Sequence, residues 1–368
     1  MNNHKSKILF VSLFPPKSGG LALQSKILAD HLRDEGLDIV RINVHQEIET
    51  HSIRGKIFKA LVQPLSLLRR LIKSIRKVNL VHVAACSYWG FMPLVIVMPV
   101  CKLYNRSMSV TYHGGYAAEF MKKHHRWAAP ILRQADFIIV PSHFLKEIFG
   151  RYELPCRVAP VIGDFHNFEL IKRKKMAPIF VSNRHLEPLY DVGTTLRAFR
   201  KIQLVCPSAH LIIAGTGSQQ QQLKDYATSN NLQVDFRGEI PFNDMPALLN
   251  EADIYINSAK TDNMPMSVLE AIYSGLLVIS TPVGELTNLI RHGNNGLFFF
   301  PGDDESLAKT ILFALKNQKL SLNCSYNARS IALNCTWPQL RDNYLELFQL
   351  KNRVELNHVA AMGVKCTT

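Results

Sequence analysis

Ala252-Asp-Ile-Tyr-Ile256, followed by Asp262-Asn-Met-Pro-Met-Ser-Val-Leu-Glu-Ala271, reads as a strand, a turn and a helix. Met266, Leu269, Ile272 and Tyr273 recur at helical spacing. Pro265 suits a first helical turn, where a missing N–H costs nothing, and Asp262 or Asn263 is placed to cap the free donors there. The helix N-terminus is thus open and partly positive, a natural seat for a phosphate. Glu270 follows Asp262 by eight residues, roughly 12 Å along a regular helix. The two carboxylates are too far apart to share a proton, but are spaced to touch two ends of one elongated anionic ligand.

The same strand–turn–helix alternation spreads in both directions. Toward the N-terminus, Lys7-Ile-Leu-Phe-Val-Ser-Leu13, Asp38–Asn43, Asn79–Ala84, Ser107–His113, Asp136–Val140 and Arg157–Ile162 read as strands, with helical stretches and glycine turns between them. A second series follows at Pro178–Ser182, His210–Ala214, Gln233–Phe236, Asp253–Ile256 and Leu276–Ser280. Short apolar strands separated by helices call for parallel sheets covered on both faces. The expectation is α/β: two doubly wound Rossmann-like domains facing each other across a cleft. Residues 1–165 form the first domain, the basic stretch 166–176 a linker and 177–335 the second domain. A helix at 336–351 is expected to pack back on the first domain, and 352–368 to be a frayed tail. Ligands of such sheets lie beyond the carboxyl ends of the strands.

Composition narrows the class. The chain has 368 residues, 47% hydrophobic and 20% charged, with a net charge of +14. Seven scattered cysteines form no C-x-x-C pair, which argues against a disulfide framework or zinc site and for a reducing cytoplasm. The polar start, Met1 to Ser6, is no signal peptide. Tyr88–Cys101, the most apolar run, carries two prolines and reads as a buried helix, not a membrane span. The positive charge calls for an acidic partner or an anionic surface.

Several strand-to-helix loops carry groups suited to phosphate or sugar. Gly19-Gly20 lets backbone approach a ligand closely at a helix start, and Gly215-Thr-Gly217 repeats the arrangement, although each pair alone matches an ordinary tight turn. His113 ends a strand before Gly114-Gly115 and so stands out among fourteen histidines. Arg184 follows the strand Pro178–Ser182, where a guanidinium can hold two phosphate oxygens; a surface salt bridge to Glu187 is the plainer alternative. No metal-ligand spacing and no G-x-S-x-G nucleophile turn is present. Charge on a leaving phosphate would then be met by arginine, amides and helix dipoles.

In order, Arg184, Gly215-Thr-Gly217, Phe236-Arg-Gly238, Ala252-Asp253, Asp262 to Glu270-Ala271, Ser274–Gly284 and Asn294–Phe298 resemble the family-4 retaining glycosyltransferases of the GT-B architecture. The resemblance covers about residues 178–315. It is looser in the first half, through Gly19-Gly20, His113-Gly114 and Ala135-Asp136 with Pro141-Ser142. It implies sugar transfer from a nucleotide-sugar donor with retention at the anomeric carbon, without a cofactor or metal. It also implies roles: Glu270 on the ribose hydroxyls, Asp262 and His113 by the donor sugar, and Arg184 on the diphosphate. Gly19 and Gly20 would lie near the phosphates, with Gly215, Gly217, Met264 and Met266 completing the donor set. Two positions depart from the pattern. Asp262 stands where the family usually has Glu, and Tyr190-Asp191 replaces a Lys-Gly pair, which removes a phosphate cation.

Residues 54–79 hold eight basic residues (Arg54, Lys56, Lys59, Arg69, Arg70, Lys73, Arg76 and Lys77) and no acid, with apolar residues at helical spacing and Pro64 expected to interrupt the helix or start a second one. Part of this must cover a sheet. The basic face, with Lys122–Arg126, suits anionic lipid, in line with relatives that act on polyprenyl-linked acceptors at the inner face of a membrane. The expected partners are a nucleotide-sugar, a saccharide or polyprenyl-linked acceptor and an anionic membrane surface, in cell-surface polysaccharide or lipopolysaccharide synthesis. Two other readings are a GT-B sugar-nucleotide epimerase, which would consume donor without acceptor, and a nucleic-acid-binding protein. No nucleic-acid module or aromatic interleaving supports the last.

Overall fold

The computed structural model describes residues 7–15, 19–45 and 53–348, the side chains of 53–61 excepted. The tail expected at 352–368, Met1 to Ser6, and the side chains of Arg54, Lys56 and Lys59 fall outside that range. Short runs give six parallel strands in the first half: β1 (Lys7–Ser12), β2 (Asp38–Asn43), β3 (Leu80–Ala85), β4 (Ser107–Tyr112), β5 (Phe137–Val140) and β6 (Cys156–Val158); all but β2 and β6 are apolar and largely buried on both faces. They lie in the order β2-β1-β3-β4-β5-β6. Helices α1 (Gly20–Asp34), α2 (Ile53–Ile75), α3 (Met92–Leu103), α4 (Ala117–Leu132) and α5 (His143–Gly150) connect them.

The second sheet comprises β7 (Ile179–Asn183), β8 (His210–Ala214), β9 (Val234–Gly238), β10 (Ile254–Asn257), β11 (Leu277–Ser280) and β12 (Leu297–Phe298), in the order β12-β11-β10-β7-β8-β9. Its helices are α6 (Val192–Val205), α7 (Gln220–Ser229), α8 (Met245–Asn250), α9 (Met266–Tyr273), α10 (Leu286–Leu289), α11 (Asp304–Lys316) and α12 (Gln318–Leu333), and the described chain closes with α13 (Trp337–Phe348). All registered pairs are parallel. The chain therefore has two Rossmann-like sheets with flanking helices, the GT-B architecture.

Four local details depart from the reading of the sequence. β6 stops at Val158 instead of running to Ile162, because Pro160 has no N–H for the ladder; the Ile162 amide donates to Gln24 Oε1 at 2.8 Å instead. Helix α2 continues through Pro64. Burial of Leu67, Leu71 and Ile75 against the sheet offsets the one bond the proline removes. The run from Tyr88 begins as a 3-10 turn over Tyr88–Phe91, and only then does α3 bury Leu94, Val97, Val100 and Cys101. No described helix is long and apolar enough to cross a membrane. Lastly, the linker stretch is anchored. Arg173, its side chain 4% exposed, donates to Asp253 and to the carbonyls of Ala252 and Ser274.

Helix α13 lies on the first domain. Leu340, Tyr344, Leu347 and Phe348 join a buried cluster with Ile8, Phe10, Ile27 and Leu32. Arg341 forks onto Glu35 at 2.6 and 2.7 Å, and Trp337 stacks on His31. Phe348→Ala should cost about 3–5 kcal/mol, whereas Arg341→Ala, which loses an exposed pair, should cost under about 1 kcal/mol. Denaturant unfolding of the two variants separates these outcomes.

Candidate functional site: a cleft between the two sheets

Arg184 is the first residue beyond the carboxyl end of β7, and Gly215 the first beyond β8. The two strand ends approach so closely that a Cβ on Gly215, whose φ is +133°, would stand 2.1 Å from the Arg184 carbonyl oxygen. Gly217 is packed in the same way against Leu186. This glycine pair is therefore what lets the Arg184 loop fold down. Gly215 borders a small recess with Arg184, His185 and Glu239. Gly217 is not among the residues that line the cleft.

The Arg184 side chain is 8% exposed and almost fully engaged. Nη2 pairs with Asp262 Oδ2, Nη1 donates to Ser267 Oγ at 2.7 Å, and the guanidinium lies 4.2 Å from the Tyr190 ring centroid. Nε has no partner. The alternative pairing with Glu187 is not formed, since Glu187 accepts from the Ser218 amide and hydroxyl. Tyr190 thus supplies a π face where the resemblance expects a lysine. Asp191 turns away, accepting from Thr194 Oγ1 and pairing with Lys260.

The α9 turn differs from its expected capping. Pro265 is itself the N-cap, in extended conformation, and no side chain caps the helix. Asp262 accepts from the next amide, Asn263 N, at 2.7 Å, while Asn263 Oδ1 faces Ser142. The first-turn amides of Met266 and Ser267 therefore keep no intrahelical partner, and both residues line the cleft. Because Asp262 precedes the helix, a helical rise does not set its distance from Glu270; Asp262 pairs with Arg184, whose charge also favours the Glu270 carboxylate.

Glu270 is 5% exposed. Burial raises its pKa to about 7, an effect that Asn183 and the charge of Arg184 only partly offset. Its carboxylate form is costly because burial strips it of water without supplying enough donors in exchange.

The facing wall comes from the first domain. Burial lowers the His113 pKa to about 4, so its ring is neutral at physiological pH. Gly114 has φ +144°, and a Cβ on Gly115 would come within 3.0 Å of Asp262 Cα. The paired glycines let the end of β4 touch the Asp262 loop. Thr261 Oγ1 donates to Gly115 O at 3.0 Å, the Ser142 hydroxyl to Asn263 Oδ1, and Phe144 N to Glu285 Oε2 at 2.9 Å. Gly19 and Gly20 start α1 with nothing within 4 Å of an added Cβ. Gly19, Gly20, His113, Arg184, Asp262, Met264, Met266 and Glu270 all line one cleft of about 660 Å³. Sequence reading missed Tyr190, Ser267 and Asn183 as site residues. Tyr190 carried a visible signal, the replaced lysine; the other two carried none.

A two-sheet α/β chain whose cleft meets an arginine, a helix N-terminus and a buried carboxylate belongs to the class of GT-B transferases. The sequence matches the family described as "Glycosyl transferases group 1" over residues 165–331, and "Glycosyltransferase Family 4" over residues 18–162. Together the two matches span most of the chain, which belongs to these glycosyltransferases. It is 29% identical over 152 residues to mannosylfructose-phosphate synthase of Agrobacterium fabrum, which covers 38% of this chain and only 33% of that protein. The fold is similar to that of sucrose-phosphate synthase from Thermosynechococcus elongatus (TM-score 0.80, 16% identity, 96% and 100% of the two chains). It is also similar to that of Anabaena HepE in complex with UDP and glucose (TM-score 0.73, 18% identity, 94% and 99%).

The raised Glu270 pKa predicts a stability signature. The folded protein holds this proton up to about pH 7, whereas the unfolded chain releases it near the ordinary carboxylate value, about 4.3. Stability therefore falls between those pH values and is flat above. Glu270→Gln should melt like wild type at pH 4 and a few degrees higher at pH 8. Equal melting at both pH values would contradict the assignment.

Proposed function

We propose that the cleft binds a nucleotide-sugar and transfers its sugar, with retention, to a saccharide or lipid-linked acceptor in cell-surface polysaccharide or lipopolysaccharide synthesis. The observation that carries this reading is the floor of the cleft. A buried guanidinium lies beside two unpartnered helix amides, with a buried carboxylate behind them and a neutral histidine opposite. The diphosphate takes Arg184 and the Met266 and Ser267 amides. Glu270, ionised on binding, accepts from the ribose hydroxyls. Asp262, drawn off Arg184 by the incoming phosphate, turns toward the sugar, and neutral His113 hydrogen-bonds a sugar hydroxyl.

In the transfer step the bond from the anomeric carbon to the phosphate oxygen breaks and the acceptor oxygen bonds the same carbon on the same face. The acceptor proton passes to the departing phosphate, so no protein nucleophile is needed. Arg184 and the helix amides stabilise the charge on that phosphate, and the reading requires no divalent cation: chelator should leave turnover unchanged.

A screen of UDP-, GDP-, ADP- and CMP-sugars by melting shift tests the donor. One of them should raise the melting temperature. Arg184→Lys, which keeps charge but loses the fork, should weaken that ligand on the order of tenfold or more, at about 1.5–3 kcal/mol per charged hydrogen bond, and Glu270→Ala should do likewise. Wild-type donor binding in both variants would remove these residues from the site.

The first domain is also proposed to rest on anionic membrane at the cytoplasmic face. Adjoining helices α2, α3 and α4 expose Arg69, Lys73, Lys102, Lys122 and Arg126, and Arg76 is exposed just past the end of α2. Among these cations stand Leu65, Leu103 and Trp127, a mixture that suits a lipid headgroup layer. Flotation should favour anionic over neutral vesicles and weaken in an Arg69→Glu/Lys73→Glu/Arg76→Glu variant; equal flotation with both vesicle types would overturn membrane docking.

A further inference from the structure

A second cavity of about 560 Å³ opens at the carboxyl edge of the first sheet, where the residues after β1 and β2 meet α2, the Tyr88–Phe91 turn and α3. Its walls include Leu13, Pro64, Leu67, Pro93 and Ile96. Among its described lining residues none carries a carboxylate, ammonium or guanidinium, and only His45 and Gln63 bring side-chain polarity beyond the Trp89 indole and the Cys86 thiol. A free saccharide placed there would leave most of its hydroxyls without partners, which is costly. An apolar segment would not.

Two features link this cavity to the transferase site. Leu21 and Cys86 line both it and the donor cleft, so the two spaces adjoin across these side chains. At the outer rim Trp89 is 85% exposed. The turn that presents it is a demanding one. Tyr88 has φ 56°, and a Cβ on Gly90 would stand 2.0 Å from Cys86 Sγ. The Gly90 amide donates to Ser87 O, and the Cys86 amide to Gly90 O, both at 3.1 Å. A left-handed tyrosine persists only where surrounding contacts over-determine it, and here it holds an indole out over an apolar opening. Helix α2, which gives Pro64 and Leu67 to the cavity, presents Leu65, Arg69, Ile72 and Lys73 outward.

We infer that this cavity holds the apolar segment of an amphiphilic acceptor, whose hydroxyl-bearing sugar passes Leu21 and Cys86 into the donor cleft. The inference rests on the transferase reading above and names the acceptor class for it: a sugar on an extended hydrocarbon chain, not a free saccharide. The acceptor would be made by a reaction that attaches a first sugar to a lipid carrier or long-chain alcohol. Trp89 and Met92 form the rim over which the chain enters.

The test uses methyl, hexyl and octyl β-D-glucopyranoside, each below its micelle concentration, titrated calorimetrically against the full chain with and without UDP. A fully buried methylene is worth up to about fourfold in affinity, so octyl should bind at least tenfold tighter than methyl. Trp89→Ala and Met92→Lys alter exposed or half-exposed side chains and should each remove most of that gain without changing the UDP-induced melting shift. Leu204→Ala, an exposed leucine on the second domain, should bind octyl glucoside like wild type. Equal affinity across the chain-length series overturns the inference, and so does wild-type octyl binding in both rim variants. If wild type shows no melting shift with any nucleotide or nucleotide-sugar, the donor reading fails separately, because chain-length dependence is read equally without UDP.

Discussion

A guanidinium removed from water must be paired, and in this protein one such group, Arg184, organises the site. Its pairing with Asp262 draws the loop before α9 down onto the end of β7. Its bond to Ser267 fixes the first turn of that helix, and Tyr190 covers its face. Breaking a buried pair of this kind is far more destabilising than the pair is stabilising. The arrangement therefore specifies one geometry more than it adds stability. The glycines at 215 and 115 follow from it, because backbone must come close on both sides of the loop for the pair to form.

Both departures from the family pattern bear on the Arg184 pairing. The shorter Asp262 reaches Arg184 from a turn that also touches Gly115 of the other domain. The residue that stands in place of the expected lysine gives the arginine an aromatic face instead of a second cation beside it. Among the described lining residues of the cleft Arg184 is the one guanidinium and no lysine is present, so in the proposed donor complex Arg184 and the α9 amides would carry more of the phosphate charge.

Much of this was legible in the sequence. The strands of both sheets could be read because parallel strands buried on both faces form short unbroken apolar runs; β3, buried at all six positions, is an example. Strand-end groups such as His113 and Arg184 followed from topology, since loops at carboxyl ends meet in the cleft. Capping was misread because residue type alone cannot say whether Asp262 faces its own helix or an arginine 78 positions away in sequence. The packing of Gly217 against Leu186 was not legible either: a glycine needed for ligand approach and one needed for backbone packing look alike in sequence. The exposed Trp89 rim was hidden within an apolar run that reads as wholly buried.

The most direct measurement is a crystal structure of the protein with UDP bound. The account predicts the diphosphate within hydrogen-bond distance of the Arg184 guanidinium and the Met266 and Ser267 amides, with the ribose hydroxyls on Glu270. A nucleotide seated elsewhere, with Arg184 still wholly paired to Asp262 and Glu270 untouched, would contradict it.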